Sequence, residues 1–173
     1  MQIAPGGRMS TKINQYNQGP ERCSTSETGA IGNDTTLNVL TGASEPAPPL
    51  LADPPDCSVA VGPATMVVYQ RGWTAFVSVA QQDAADSVDH AVTQIVGRYA
   101  SPDRAAEVFA TLAAGLEACP SAVRDTSGAG ASHWTYRVDS ATDTALTRTA
   151  VQDQGDGWAC YREARLPGRP CHP

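Results

Sequence analysis

The stretch from Ser101 to Cys119 has a marked beginning and one apolar side, so any fold of this chain must give that side something to cover. Ser101 is an N-cap type, Pro102 suits the first helical position, and Asp103 and Glu107 place negative charge at the positive end of the helix dipole. Ala105, Phe109, Leu112, Leu116 and Cys119 recur at steps of three or four residues, whereas Arg104, Glu107, Thr111 and Glu117 fall off that stripe. The pattern predicts a single amphipathic helix, stopped by Pro120, with Cys119 turned toward the core. A cysteine in that place is either a buried thiol or half of a disulfide. With four more cysteines in a short chain, the disulfide is the expectation.

A length of 173 residues fits one domain with a modest core. The net charge of -6, and the lack of any run of Lys and Arg, argue against a nucleic-acid-binding surface. No stretch of about eighteen apolar residues occurs and no apolar h-region follows Met1, so neither a transmembrane helix nor a signal peptide is expected here. The five cysteines pull the other way, toward a compartment where disulfides persist.

Residues 1–35 are rich in Gly, Ser, Thr, Asn, Gln and Pro and hold few large apolar side chains, which predicts a disordered lead with Cys23 as a spare thiol. Thr36–Leu40 reads as one or two helical turns, and Ser44–Pro55, with its five prolines, as an extended connector. Strands are predicted over Met66–Gln70, Thr74–Ala80, Ala91–Gly97, His133–Val138, Ala145–Gln152 and Trp158–Glu163. Between them, Gln81–Asp89 reads as an acidic loop and Thr126–Ser132 as a Gly and Ser loop. The expected fold class is α+β: an antiparallel sheet of about five or six strands with the helix from Ser101 to Cys119 packed on one face.

Several local patterns combine in a fixed order: Pro55-Asp56-Cys57 with Val61-Gly62-Pro63-Ala64, then Val68-Tyr69 and Gly72-Trp73, then the Ser101-Pro102 helix ending in Cys119. Gln152 follows, with Gly155-Asp156-Gly157-Trp158-Ala159-Cys160. Together they resemble the PknH-like extracellular sensor domain, found on mycobacterial transmembrane Ser/Thr kinases and related envelope lipoproteins. The resemblance implies an antiparallel sheet flanked by helices, a solvent-exposed cleft, two disulfides, and sensing or ligand binding with no known enzymatic chemistry. It places the domain, residues 36–163, in the cell envelope or outside the cell, and it implies that Cys57 pairs with Cys119. Closing a loop of that span stabilises a fold by roughly 4 kcal/mol in the chain-entropy picture. Cys160 and Cys171 are the candidates for the second bridge. Beyond Cys160 the family pattern is lost, so residues 164–173 read as a divergent tail on a domain truncated at its C-terminus. A missing last strand and helix predicts an uncovered sheet edge and an uncovered apolar face.

The signatures of common enzymes are absent: there is no Gly-x-Ser-x-Gly elbow, no Gly-rich phosphate loop and no His-Glu-x-x-His. Ser132, His133 and Asp139 are near in sequence but make no triad by spacing alone. Cys160, Cys171 and His172 lack a zinc spacing, and Asp83, Asp86 and Asp89 lack the turn Gly and bidentate Glu of a calcium loop. No catalytic residue, metal or cofactor is therefore expected. Trp73, Trp134 and Trp158 are each more readily core residues than ligand platforms. The candidate ligand-binding residues are Tyr69, Gln94, Gln152 and Arg162, since strand positions pointing away from the helix line a polar cleft on the open side of the sheet, with Trp134 as a flat apolar wall for a ligand. The expected ligand is an unidentified small molecule or envelope component, with an envelope protein as a further partner. An envelope hydrolase and a protein-binding scaffold are the alternatives.

Overall fold

In chain order the strands are β1 (Arg8–Tyr16), β2 (Asn38–Ala43), β3 (Leu51–Asp53), β4 (Trp73–Gln82), β5 (His90–Tyr99), β6 (Ser121–Thr126), β7 (Gly130–Ala141), β8 (Ala145–Gln152) and β9 (Ala159–Arg165). A 3-10 turn at Pro55–Cys57 runs into α1 (Ser58–Val61), followed by α2 (Met66–Tyr69) and, between β5 and β6, α3 (Pro102–Glu117). The structure, a computed structural model, describes residues 8–16, 38–82, 90–126, 130–153 and 158–166. The strands join edge to edge in one sheet of order β2-β4-β5-β1-β9-β8-β7-β6-β3. Every pair in it is antiparallel. The α+β class holds, with nine strands among the described residues rather than five or six.

The predicted helix forms as α3, and it begins as its sequence requires: the Ser101 hydroxyl oxygen accepts from the Arg104 N–H at 3.2 Å, satisfying one of the donors that a helix start leaves open. Its stripe of Ala105, Val108, Phe109, Leu112 and Leu116 is buried. It packs in one cluster with Phe76 on β4, Ile95 and Tyr99 on β5, Leu146 on β8 and Ala164 on β9. Each large side chain buried this way contributes on the order of 1.5–3 kcal/mol. Tyr69, fully buried, meets Phe76 edge to face at 4.9 Å between ring centres, and its carbonyl accepts from the Tyr99 hydroxyl at 2.7 Å. Gly97 makes this possible, since a Cβ there would stand 2.6 Å from the Tyr69 ring.

A second, smaller cluster of Cys57, Val61, Cys119 and Ala122 sits beside the first. Cys57 and Cys119 form a disulfide, as the resemblance implied, and it ties the start of α1 to the end of α3. Gly115 lets the two helices meet, because a Cβ there would press to 2.9 Å from Val59.

The structure departs from the sequence reading at several places. Arg8–Tyr16, assigned above to a disordered lead, is strand β1, paired with β5 on one side and β9 on the other. It is paired along both edges, and a run of this polar composition shows no hydrophobic periodicity to predict it. As a result β9 is not left as an open edge. Asn38–Ala43 is strand β2 on the flank of β4, not a helical turn. Met66–Tyr69 is helical although its residues are β-branched and aromatic. A single turn carries both Val68 and Tyr69 into the core, which strand alternation cannot do for adjacent residues. The proline-rich connector contains β3, paired with β6, and the Gly and Ser loop is shorter than predicted because β6 and β7 extend into it. The acidic stretch Asp83–Asp89 and the tail from residue 167, with Cys171 and His172, lie outside the described residues.

Candidate ligand-binding cavity

Alternation along β7, β8 and β9 turns Trp134, Tyr136 and Val138, then Leu146, Arg148 and Ala150, then Cys160, Arg162 and Ala164 to the side of the sheet that α3 covers. Leu146 and Ala164 lie under α3, but one step further along the same strands the cover passes to the α1 segment. That cover is thin, and beneath it remains a cavity of about 220 Å³. Leu50, Ala60, Val61 and Pro63 make its roof, and Trp134 and Tyr136 stand in its floor. Ala150 and Cys160, with Arg124, Arg148 and Arg162, complete the lining.

Arg148 and Arg162 are directly opposite on β8 and β9, a like-charge pair that costs stability in any sheet. Both are buried, at 3% and 7% exposure. Each gives one hydrogen bond to the structure above it: Arg148 Nη2 donates to the Cys119 carbonyl at 3.1 Å, and Arg162 Nη1 to the Val59 carbonyl at 3.0 Å. The Arg148 guanidinium also lies over the Tyr136 ring, 3.7 Å from its centre, a cation–π contact. Among the described residues no carboxylate forms an ion pair with either one: the ion pairs there are Arg104–Glu107, Arg137–Asp139 and Arg165–Glu163, all on the surface. Nε and Nη1 of Arg148, Nε and Nη2 of Arg162, and Nε of Arg124 are buried without a hydrogen-bond partner. Burial pulls both guanidiniums down to about 10, which leaves them charged at neutral pH, and pushes the Tyr136 phenol up to about 12.

Of the residues singled out from sequence, Arg162 and Trp134 line this cavity. Trp134 Nε1 donates to the Ser132 hydroxyl at 2.9 Å, which fixes the indole. Gln152 is the cross-strand neighbour of Trp134 and lies half-buried beside the cavity rather than in its lining. Gln94 is exposed on the face of the sheet that α3 leaves bare, away from the cavity. Tyr69 sits in α2, fully buried in the core, and offers a ligand no surface. The cavity therefore lies on the helix side of the sheet, not on its open side. Arg124 and Arg148 carried no sequence motif; the available signal was Arg148 two positions from Leu146, and so on the same face, in the strand predicted over Ala145–Gln152.

Ser132 and His133, adjacent on β7, point to opposite faces and cannot act as nucleophile and base. A second hollow of about 160 Å³ at the β6–β7 edge holds His133 and Asp153, yet no hydrogen bond joins their side chains. Asp153 instead accepts from the Thr135 hydroxyl at 2.9 Å. Among the described residues no three His, Cys, Asp or Glu side chains gather as a metal site.

The PknH-like extracellular domain matches residues 24–168, most of the chain. The chain belongs to the PknH-like extracellular domain family. Its fold is similar to the crystal structure of the extracellular domain of PknH from Mycobacterium tuberculosis, with a TM-score of 0.67 and 19% identity, covering 82% of this chain and 81% of that one. No match was found among curated proteins. The PknH-like family is one of extracellular, sensor-type domains, and the Cys57–Cys119 bridge suits an oxidising compartment. Among the described residues no helix is long and apolar enough to cross a membrane.

Proposed function

We propose that this chain is a non-catalytic sensor domain of the cell envelope that binds a small molecule in the cavity beneath α1. The observation that carries the reading is the cavity itself, apolar in its roof and floor and walled by buried polar groups that the protein leaves unpaired. Small-molecule sites have this composition: mostly apolar walls with a few convergent polar groups that fix orientation. The roof is the natural reporter of occupancy. It is a short helix and a proline-rich segment, touched from below by Arg162 through the Val59 carbonyl, so a ligand in the cavity bears directly on it.

The test is a panel of cell-wall fragments and metabolites against the full chain, followed by melting temperature and by Trp134 fluorescence. A ligand should raise the melting temperature, alter the emission of the floor tryptophan, and slow amide exchange over residues 57–63. If no compound of a broad panel does any of these, the cavity is not a binding site.

A further inference from the structure

The cavity wall carries more positive charge than the fold uses. Arg148 and Arg162 are each more than nine-tenths buried, opposite one another, and spend one N–H apiece on backbone carbonyls; four other nitrogens of the pair have no partner. Arg124, half-buried in the same lining, adds a fifth. Leaving a buried charge uncompensated costs several kcal/mol. Buried arginines kept only for structure come with carboxylates, and the ion pairs of this chain among its described residues all lie elsewhere, on the surface. The contrast with the whole molecule is sharp, since the chain carries a net charge of -6 while the described residues lining this recess include three cations and no acid.

The geometry points to an anionic ligand: an acidic group, phosphate or carboxylate, held between Arg148 and Arg162 with Arg124 at its side, on a small apolar body seated against Trp134, Tyr136 and the α1 roof. The inference rests on reading this cavity as the binding site. Guanidinium groups match carboxylate and phosphate oxygens in a planar, two-pronged geometry, and such bonds are about twice as strong as neutral ones. Three cations favour the doubly charged partner, so an aryl phosphate binds better than the corresponding carboxylate. A neutral analogue meets the apolar walls but leaves the guanidinium nitrogens unpaired, and polar sites reject such analogues strongly. The volume of about 220 Å³ admits one ring and its acidic substituent, not a polymer.

The test compares phenyl phosphate, benzoate, inorganic phosphate and the neutral benzamide by calorimetry and thermal shift on the full chain, with Arg148→Met, Arg162→Met and Arg124→Gln as variants. Phenyl phosphate is expected to raise the melting temperature by roughly 5–10 °C at a hundredfold excess over its Kd. Benzoate and inorganic phosphate bind more weakly, and benzamide does not bind. Arg148→Met and Arg162→Met each weaken phenyl phosphate by roughly thirtyfold or more. Arg124→Gln, on the half-exposed side chain, tests the same charge if either core variant does not fold, and lowers affinity about tenfold. Benzamide binding as tightly as phenyl phosphate, with no loss in the arginine variants, overturns the anionic class and leaves the cavity as a binding site. Phenyl phosphate binding untouched by all three variants places the anion on the outer surface and also overturns it. Silence from every probe, with Trp134 emission unchanged, removes the binding site together with its chemistry.

Discussion

One face of one sheet is covered in two ways. Over β4 and β5, α3 lays down a dry, fully packed layer in which even the polar atom is matched, the Tyr99 hydroxyl resting on the Tyr69 carbonyl. Over β7, β8 and β9, the α1 segment leaves a hollow, and the buried polar atoms there are guanidinium nitrogens without partners. The same strands pass from one regime to the other within two residues, Leu146 to Arg148 and Ala164 to Arg162. Stability is concentrated in the first region. The second is built against its own stability, which is the usual mark of a surface meant to receive something.

If that division is right, substitutions should sort by side of the molecule. Phe109→Ala, in the packed half, is expected to cost about 3–5 kcal/mol in urea denaturation, through lost burial and the void left behind. A cost below about 1 kcal/mol would mean that α3 is not the main prop. Removing the bridge that joins the halves, by Cys57→Ser with Cys119→Ser, is expected to cost about 2–4 kcal/mol. The loss should appear together with faster amide exchange in α1, while α3 keeps its protection.

Tyr99→Phe should cost about 1 kcal/mol near pH 8, the worth of its hydrogen bond. Its pH dependence is the sharper measurement. Burial raises the Tyr99 phenol above its ordinary value, so the unfolded chain ionises first, near pH 10, while the folded chain stays protonated. The folded state then holds more protons, and stability falls as pH rises above 10. The variant lacks that loss, so its deficit against the parent narrows between pH 10 and pH 11. A constant gap in denaturation midpoints would contradict the burial of this phenol.

The smallest effect is expected in the cavity half. Arg162→Met removes an unpaired buried charge of similar length, and its stability should lie within about 1 kcal/mol of the parent or above it, despite the lost bond to the Val59 carbonyl. A loss of several kcal/mol there would erase the contrast and make Arg162 a structural residue.

The packed half was the legible half. Ser101, Pro102 and the stripe from Ala105 to Cys119 state the helix, its start and its buried side in local terms, and the alternation in Thr74–Ala80 and His133–Val138 states two of the strands. What escaped is what depends on distant partners. Strand β1 has no pattern of its own because its two neighbours, β5 and β9, supply its bonds. The turn at Met66–Tyr69 hides behind β-like residues because Gly97, nearly thirty positions on, makes the space for Tyr69. The strand-face reading names Arg162 but assigns it to the open side of the sheet, and Arg148 cannot be joined to it without the register that sets the two opposite. Nor could a sequence show that the described ion pairs all lie elsewhere.

The disulfide has one more consequence. Cys57 is two residues from Val59, whose carbonyl holds Arg162, and Cys119 itself holds Arg148 through its own carbonyl. Both arginines therefore hang from the two ends of a single covalent link. The β8–β9 register sets the two arginines side by side, and oxidation ties together the two segments whose carbonyls hold them, so this wall of the recess is ordered by the fold itself.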